Sequence, residues 1–310
     1  MHIPSLSCTS FILYHFKWNQ IVSQIFGVLL VVNGLIIFAE LPFTLQYLYH
    51  GQLYNERLCP AWILVNYTLF ILSIILTAWT SIERYLFIYH DLFITRQRIL
   101  LHYIPIILFC IYTPSVYVGL VIFYPCKQAY SLYDYICSGP CYLFESIPCL
   151  IDWCTNVGLV LLITCIINIV IIARTIEQRH RMKRSIITVG NRKQWRRTIR
   201  LSVQLFSIST LCMIGWIPYG IVSTIRIFHN TELLTYILST FLIYFPYAQT
   251  LFLPYACLFF MPDVKKKLII RWQSSYCYKV IYNKNQVAPI NIEQNNTLTH
   301  ANLGKQFLKT

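Results

Sequence analysis

Apolar residues are gathered into six blocks, approximately 21–49, 60–88, 99–124, 150–173, 199–228 and 233–260, each apolar all round with few charges inside. At about 1.5 Å of helical rise per residue, such blocks are long enough to cross a hydrocarbon layer about 30 Å thick. Lipid offers no water to backbone N–H and C=O groups, so a spanning segment is a helix or part of a closed barrel. The period-two alternation of barrel strands is missing. The pattern therefore predicts an all-α fold, an integral membrane helical bundle over residues 21–260, preceded by a segment at 1–20 and followed by a tail at 261–310.

Residues 3–16 form a shorter apolar run. It has no basic stretch before it and no small-residue cleavage site after it, so it does not read as a secretory signal, and it is too short to span unaided. It reads as the stump of a helix, with 17–20 as a tight loop. Six full spans are visible; a seventh is suggested.

Charge supports the same map. Only 12% of residues are charged and 57% are hydrophobic, against about 25% and roughly 45–50% in a soluble domain. The net charge of +14 is concentrated in alternate gaps: Arg96 and Arg98, the stretch from Arg174 to Arg200, and Lys265 to Arg271. The other gaps carry Glu56, Asp134, Glu145 and Glu232 with little basic return. Lysine and arginine resist translocation, so the basic gaps are expected in the cytoplasm, with membrane lipid rather than nucleic acid as the partner of the positive charge. Of the 12 cysteines, Cys59, Cys126, Cys137 and Cys141 fall in gaps expected outside, where disulfides form. Cys277, in the basic tail, is a candidate for palmitoylation.

Two motifs stand out. The second block opens on Cys59 and closes on Glu83-Arg84-Tyr85, with Arg84 lying 25 positions after the cysteine. An arginine at the membrane boundary is costly unless it snorkels or is paired, and Glu83 beside it is the expected counter-charge. The block at 199–228 contains Gly215-Trp216-Ile217-Pro218-Tyr219. Pro218 removes an i to i−4 hydrogen bond and so makes a hinge.

These features resemble the rhodopsin-like G protein-coupled receptors: the cysteine and the acid-Arg-Tyr triplet of the third helix, and the Cys-Trp-x-Pro-aromatic motif of the sixth with glycine in the cysteine position. Leu41-Pro42-Phe43 is similar to the Leu-Pro-Phe of many peptide receptors. The resemblance covers about residues 21–270 and has departures. Gly34, after Asn33, stands where the family's sodium-binding aspartate is usual. The last helix keeps only Pro254 of Asn-Pro-x-x-Tyr, with Leu253 and Cys257 in the polar positions. The fourth helix lacks its tryptophan and the fifth its proline. Residues 259–268 look like the amphipathic eighth helix.

The resemblance implies a multi-pass plasma-membrane receptor that couples to a heterotrimeric G protein. The sixth helix would swing outward and Glu83, Arg84 and Tyr85 would form the switch, with Trp216, Pro218 and Pro254 as hinge elements. It also implies a disulfide from Cys59 to the long second loop, to Cys137 or Cys141. Cys137 is preferred, which leaves Cys126 for Cys141.

The position that holds an aspartate in amine receptors is Asn66, so a peptide is the expected extracellular ligand. Asn66, Tyr67, Phe70, Trp216 and Tyr219 are the candidate pocket lining. Glu40, an acid inside an apolar block, is expected to meet a basic ligand group or Arg226. No hydrolase, nucleotide-binding or metal signature occurs, and no enzyme activity or cofactor is expected. The rival expectations are a six-helix transporter or channel, and a truncated receptor that does not signal.

Overall fold

A computed structural model describes residues 2–15, 21–89, 97, 99–184, 189–229 and 231–260. The eighth-helix segment beyond Phe260, the tail at 261–310 with Cys277, and Lys17, Arg96 and Arg98 lie outside the described residues.

Among the described residues the chain is helical and has no strand. Seven rods follow in order. α1 is His2–Tyr14. α2 runs Ile21–Leu35, then a π-helical turn Ile36–Glu40, then Leu41–His50. α3 is the unbroken helix Cys59–Tyr89. α4 runs through Ile99–Tyr103, Ile104–Val118 and Gly119–Phe123. α5 joins Ser146–Asp152, Trp153–Gly158 and Leu159–Arg184. α6 is Val189–Phe228. α7 joins Glu232–Thr240, Leu242–Tyr244 and Phe245–Phe260.

Six of these, α2 to α7, contain stretches long and apolar enough to cross a membrane, from Gln24–His50 to Glu232–Phe259. They match the six sequence blocks, although α5 and α6 run well beyond the apolar parts at their charged ends. α1 has 13 residues, about 20 Å at helical rise. It packs against α2 and α7 as a member of the bundle: Ser5 Oγ donates to Leu251 O at 3.3 Å, and Ile12 is buried.

α3 is the axis, packed against α2, α4, α5 and α6. Its middle, from Phe70 to Ala78, is almost wholly buried, as expected of a helix apolar on every side. α7 packs on α6, α1 and α2. Large apolar side chains such as Ile107, Ile111, Leu162, Ile166 and Ile169 are exposed on the outside of α4 and α5, the distribution a lipid solvent permits.

The prolines are handled locally. Pro42 cannot donate to the carbonyl four residues before it, and the π-helical turn ending at Glu40 lies immediately ahead of it. Pro254 likewise leaves the Thr250 carbonyl without its helical donor, and Asn33 Nδ2 supplies one from α2 at 3.0 Å. Gly215 meets a different demand. A Cβ there would lie 3.2 Å from Phe245 O and 3.3 Å from Pro246 Cα, backbone atoms that yield only if α7 moves. The glycine in the family's cysteine position thus permits a close approach of α6 to α7.

Two stability effects follow. Asn33→Ala is expected to lower the unfolding temperature of the detergent-solubilised protein, because the orphaned Thr250 carbonyl costs about 1–3 kcal/mol. Gly215→Ala is expected to lower it as well, overpacking of about 1–3 kcal/mol outweighing a helix-propensity gain of about 1 kcal/mol. Gly119→Ala, where a Cβ meets nothing within 4 Å, is the control expected to leave it unchanged or raise it.

Candidate functional site: a roofed cavity and a buried arginine

The Cys59 end of the bundle is covered by the segment between α4 and α5. Two disulfides fix it: Cys59–Cys137, with Cα atoms 5.8 Å apart, and Cys126–Cys141, 6.0 Å apart. Both are the pairings expected. Ile136, Cys137 and Ser138 all have positive φ, at 51°, 51° and 70°, and Gly139 follows at 76°. Left-handed backbone is disfavoured for side-chain-bearing residues, most of all a β-branched one. The segment is held there by its partners: Leu53 N donates to Leu132 O at 3.0 Å, Tyr47 OH to Tyr133 O at 3.1 Å, and Gln128 Nε2 to Gly139 O at 2.9 Å. The Tyr135 ring drops inward against Trp62, Tyr47 and Tyr244, with centroids 5.6, 5.7 and 5.3 Å away.

Beneath this roof is a cavity of about 470 Å³, within the usual range for small-molecule sites. α3 contributes Asn66, Tyr67 and Phe70, α6 contributes Trp216, Tyr219, Ser223 and Arg226, and α5 contributes Cys149, Asp152 and Trp153. Five of the six expected lining residues are therefore brought together. Trp216 forms a node: its ring meets Phe70 and Tyr219 edge-on at 6.0 Å each. Its Nε1 donates to Gln249 Oε1 at 3.2 Å, and Gln249 Nε2 donates to Ser73 Oγ at 3.2 Å. The tryptophan two residues before Pro218 is thus wired to α7 and α3.

Glu40, the sixth, does not line the cavity. It is fully buried one layer behind, and Asn66 and Tyr247, which do line it, cover its carboxylate. Oε1 accepts from Thr44 at 2.8 Å, Asn66 at 2.9 Å and Trp62 at 3.3 Å, and in a short hydrogen bond from Tyr247. Tyr247 OH is also paired with Tyr135 OH of the roof. The expectation that Glu40 meets Arg226 is corrected: the two make no ion pair, and the carboxylate is engaged instead by side chains of α2, α3 and α7.

A second buried acid, Asp152, is the residue missed. It receives Asn156 Nδ2 at 2.7 Å and Tyr117 OH at 3.1 Å on Oδ1, and Tyr142 OH at 3.0 Å on Oδ2. Burial, reinforced by this carboxylate, pushes the Tyr142 phenol well above its ordinary pKa, so it stays a donor at any physiological pH. Asp152 stands at the start of an apolar block and reads as a solvated helix end. The signal that marks it is Asn156 one turn on, a second polar group on the same face.

At the other end of α3 the triplet is arranged differently from expectation. Glu83 does not pair with Arg84. Its Oε1 binds His102 Nδ1 of α4 at 2.6 Å, and His102 Nε2 lies 3.0 Å from Gln24 Oε1 of α2, which also accepts from Tyr103 OH at 3.1 Å. The reason is geometric: adjacent residues on a helix point about 100° apart and do not face each other. Arg84 is buried, with its guanidinium carbon 4.6 Å above the Phe26 ring of α2. Tyr85 packs against Tyr89 with the rings tilted and centroids 5.1 Å apart. Nearby, Ser81 Oγ and Ser209 Oγ approach to 3.5 Å, joining α3 to α6. Leu253 and Cys257, in the positions where polar groups are usual, are fully buried among apolar neighbours, which places Pro254 in a packed section of α7.

A family model described as 7 transmembrane receptor (rhodopsin family) matches residues 9–256. No curated protein matches the chain.

The Glu40 cluster yields a stability test. Glu40→Ala strands donors from α2, α3 and α7 in a water-free interior and is expected to destabilise the purified protein by about 3 kcal/mol or more. Glu40→Gln, which keeps an acceptor oxygen, is expected to be clearly milder. Equal thermal unfolding of the two variants would show that the donors are satisfied elsewhere.

Proposed function

The chain belongs to the seven-transmembrane receptors of the rhodopsin family, and on that premise we propose that it binds an extracellular peptide in the roofed cavity and activates a heterotrimeric G protein at the Arg84 end. The family match displaces the transporter and channel alternatives, and it makes a G protein and an extracellular ligand the general partners. The ligand is a peptide, and the site of action is the plasma membrane.

The observation that carries it is the position of Trp216. This side chain lines the cavity, precedes Pro218 by two residues and donates to Gln249 of α7, which in turn donates to Ser73 of α3. A ligand that displaces the Trp216 ring breaks or remakes those bonds and favours a different setting of α6 about its proline. Movement of α6 at its far end parts Ser209 from Ser81 and opens the approach to Arg84. Arg84 is the group offered to the G protein, and Glu83, held by His102, which in turn meets Gln24, fixes the register of α2, α3 and α4 around it.

Asn66 supports a peptide over an amine. It stands where an amine receptor carries an acid, and its amide nitrogen is already engaged with Glu40 and Tyr247. The roof presents Tyr135, Ile136, Leu143 and Phe144 to the cavity, an extended wall along which a chain can lie.

Nucleotide exchange on purified heterotrimers, catalysed by membranes containing the full chain, tests the mechanism. Exchange above that of empty membranes is expected, and Arg84→Ala is expected to reduce it about tenfold, within the usual range of coupling free energies. Trp216→Ala is expected to change it with Arg84 intact. No exchange with any heterotrimer, or exchange indifferent to Arg84→Ala, would sink the proposal.

A further inference from the structure

Only two charged side chains, Asp152 and Arg226, line the cavity among the described residues, and they differ in how they are satisfied. Asp152 accepts hydrogen bonds on both oxygens, from Tyr117, Tyr142 and Asn156. Arg226 has no carboxylate within 4.0 Å among the described residues. Arg226 is half-buried on the cavity wall, so its guanidinium is available to an incoming anion.

Its neighbours are donors. Tyr219, Ser223 and Arg226 are spaced i, i+4 and i+7, so they form one stripe along the cavity face of α6. A phenol, a hydroxyl and the five N–H groups of an arginine make a complementary set for a carboxylate, which only accepts. Deeper on the same wall is Trp216, with Phe70 opposite and Trp153 alongside Tyr219 at 5.5 Å between centroids. An anion held at Arg226 therefore has aromatic surface directly below it.

We propose that Arg226, with Ser223 and Tyr219, forms an anion subsite that binds the carboxylate of a ligand whose aromatic or apolar body fills the space over Trp216. The inference rests on the assignment of this cavity as the ligand site, and it names the ligand's chemistry: an aromatic carboxylate, supplied either by a small acid or by the free C-terminus of a peptide.

The test uses the purified full chain in detergent with no transducer, so a failure to couple to G protein leaves its readout intact. The probe is N-acetyl-phenylalanine, compared with its neutral isostere N-acetyl-phenylalaninamide, and the half-saturating concentration is read from the ligand-induced rise in unfolding temperature. The acid is expected to bind at least about tenfold more tightly than the amide. Arg226→Gln is expected to bring the acid down to the level of the amide, and Arg226→Lys to keep part of the preference, because a point charge remains without the planar fork. Ser223→Ala is expected to weaken the acid severalfold and leave the amide alone.

Equal binding of acid and amide to the unmodified protein, including no binding of either, overturns the proposal. So does a preference for acid that survives Arg226→Gln, or a preference for phenethylamine that is lost in Asp152→Asn. A tetrapeptide ending in phenylalanine with a free carboxylate separates the two sources. Tighter binding than the short acid assigns the subsite to a peptide C-terminus, and equal binding assigns it to a small acid.

Discussion

A carboxylate placed among apolar helices has no water to turn to, and everything at the Cys59 end of this bundle is arranged around that constraint. Leaving such a group unmet costs several kcal/mol. Glu40 is met by donors from α2, α3 and α7 on a single oxygen. Because one acceptor is shared among three helices, none of the three can shift alone without stranding a donor. Tyr247 extends the same linkage to the roof through Tyr135. The cavity lies directly against this locked cluster, so one wall is rigid while α6, which gives no donor to Glu40, is left as the wall able to move.

The two ends of α3 follow one logic with different chemistry. At the cavity end the polar groups of the helix are consumed in holding α2 and α7. At the arginine end Glu83 is consumed in holding α4, and through His102 it reaches α2. Between them, among the described residues, α3 meets α6 and α7 through a hydroxyl pair at 3.5 Å, a glutamine bridge and the Phe70 ring, which lies edge-on to Trp216 and Tyr247.

How far the sequence revealed this depended on the range of each interaction. Helix number and the six spans could be read directly, because they depend on apolar length; α6 and α7 run on as helix through Pro218 and Pro254. The cysteine pairing followed once the resemblance was in place. What escaped was set by contacts between residues distant in the chain. Nothing local to Glu40 announces Trp62 or Tyr247, and nothing near Asp152 announces Tyr117. One misreading and one omission had local remedies: Glu83 and Arg84 are neighbours in sequence and for that reason diverge around the helix, and the pair Asp152 and Asn156 shares a face. The departures at Gly34 and Gly215 also become intelligible only with depth. Gly34 packs against Thr9 of α1, where a Cβ would stand 3.5 Å from its methyl, and Gly215 lies against the backbone of α7.

The left-handed run from Ile136 to Ser138 has a consequence for where the molecule can mature. Each such residue costs of order 1–3 kcal/mol, and the run sits at the cysteine that joins the roof to α3. With that sulfur bridge open, the run loses its covalent tie to α3 and is held only within the loop closed by Cys126 and Cys141. Cytosolic thiol conditions keep such bridges reduced, whereas the secretory lumen forms them. Chains that have not yet been oxidised would therefore carry an unroofed, water-accessible recess, and competence to recognise a ligand would be acquired during passage through the lumen rather than at membrane insertion.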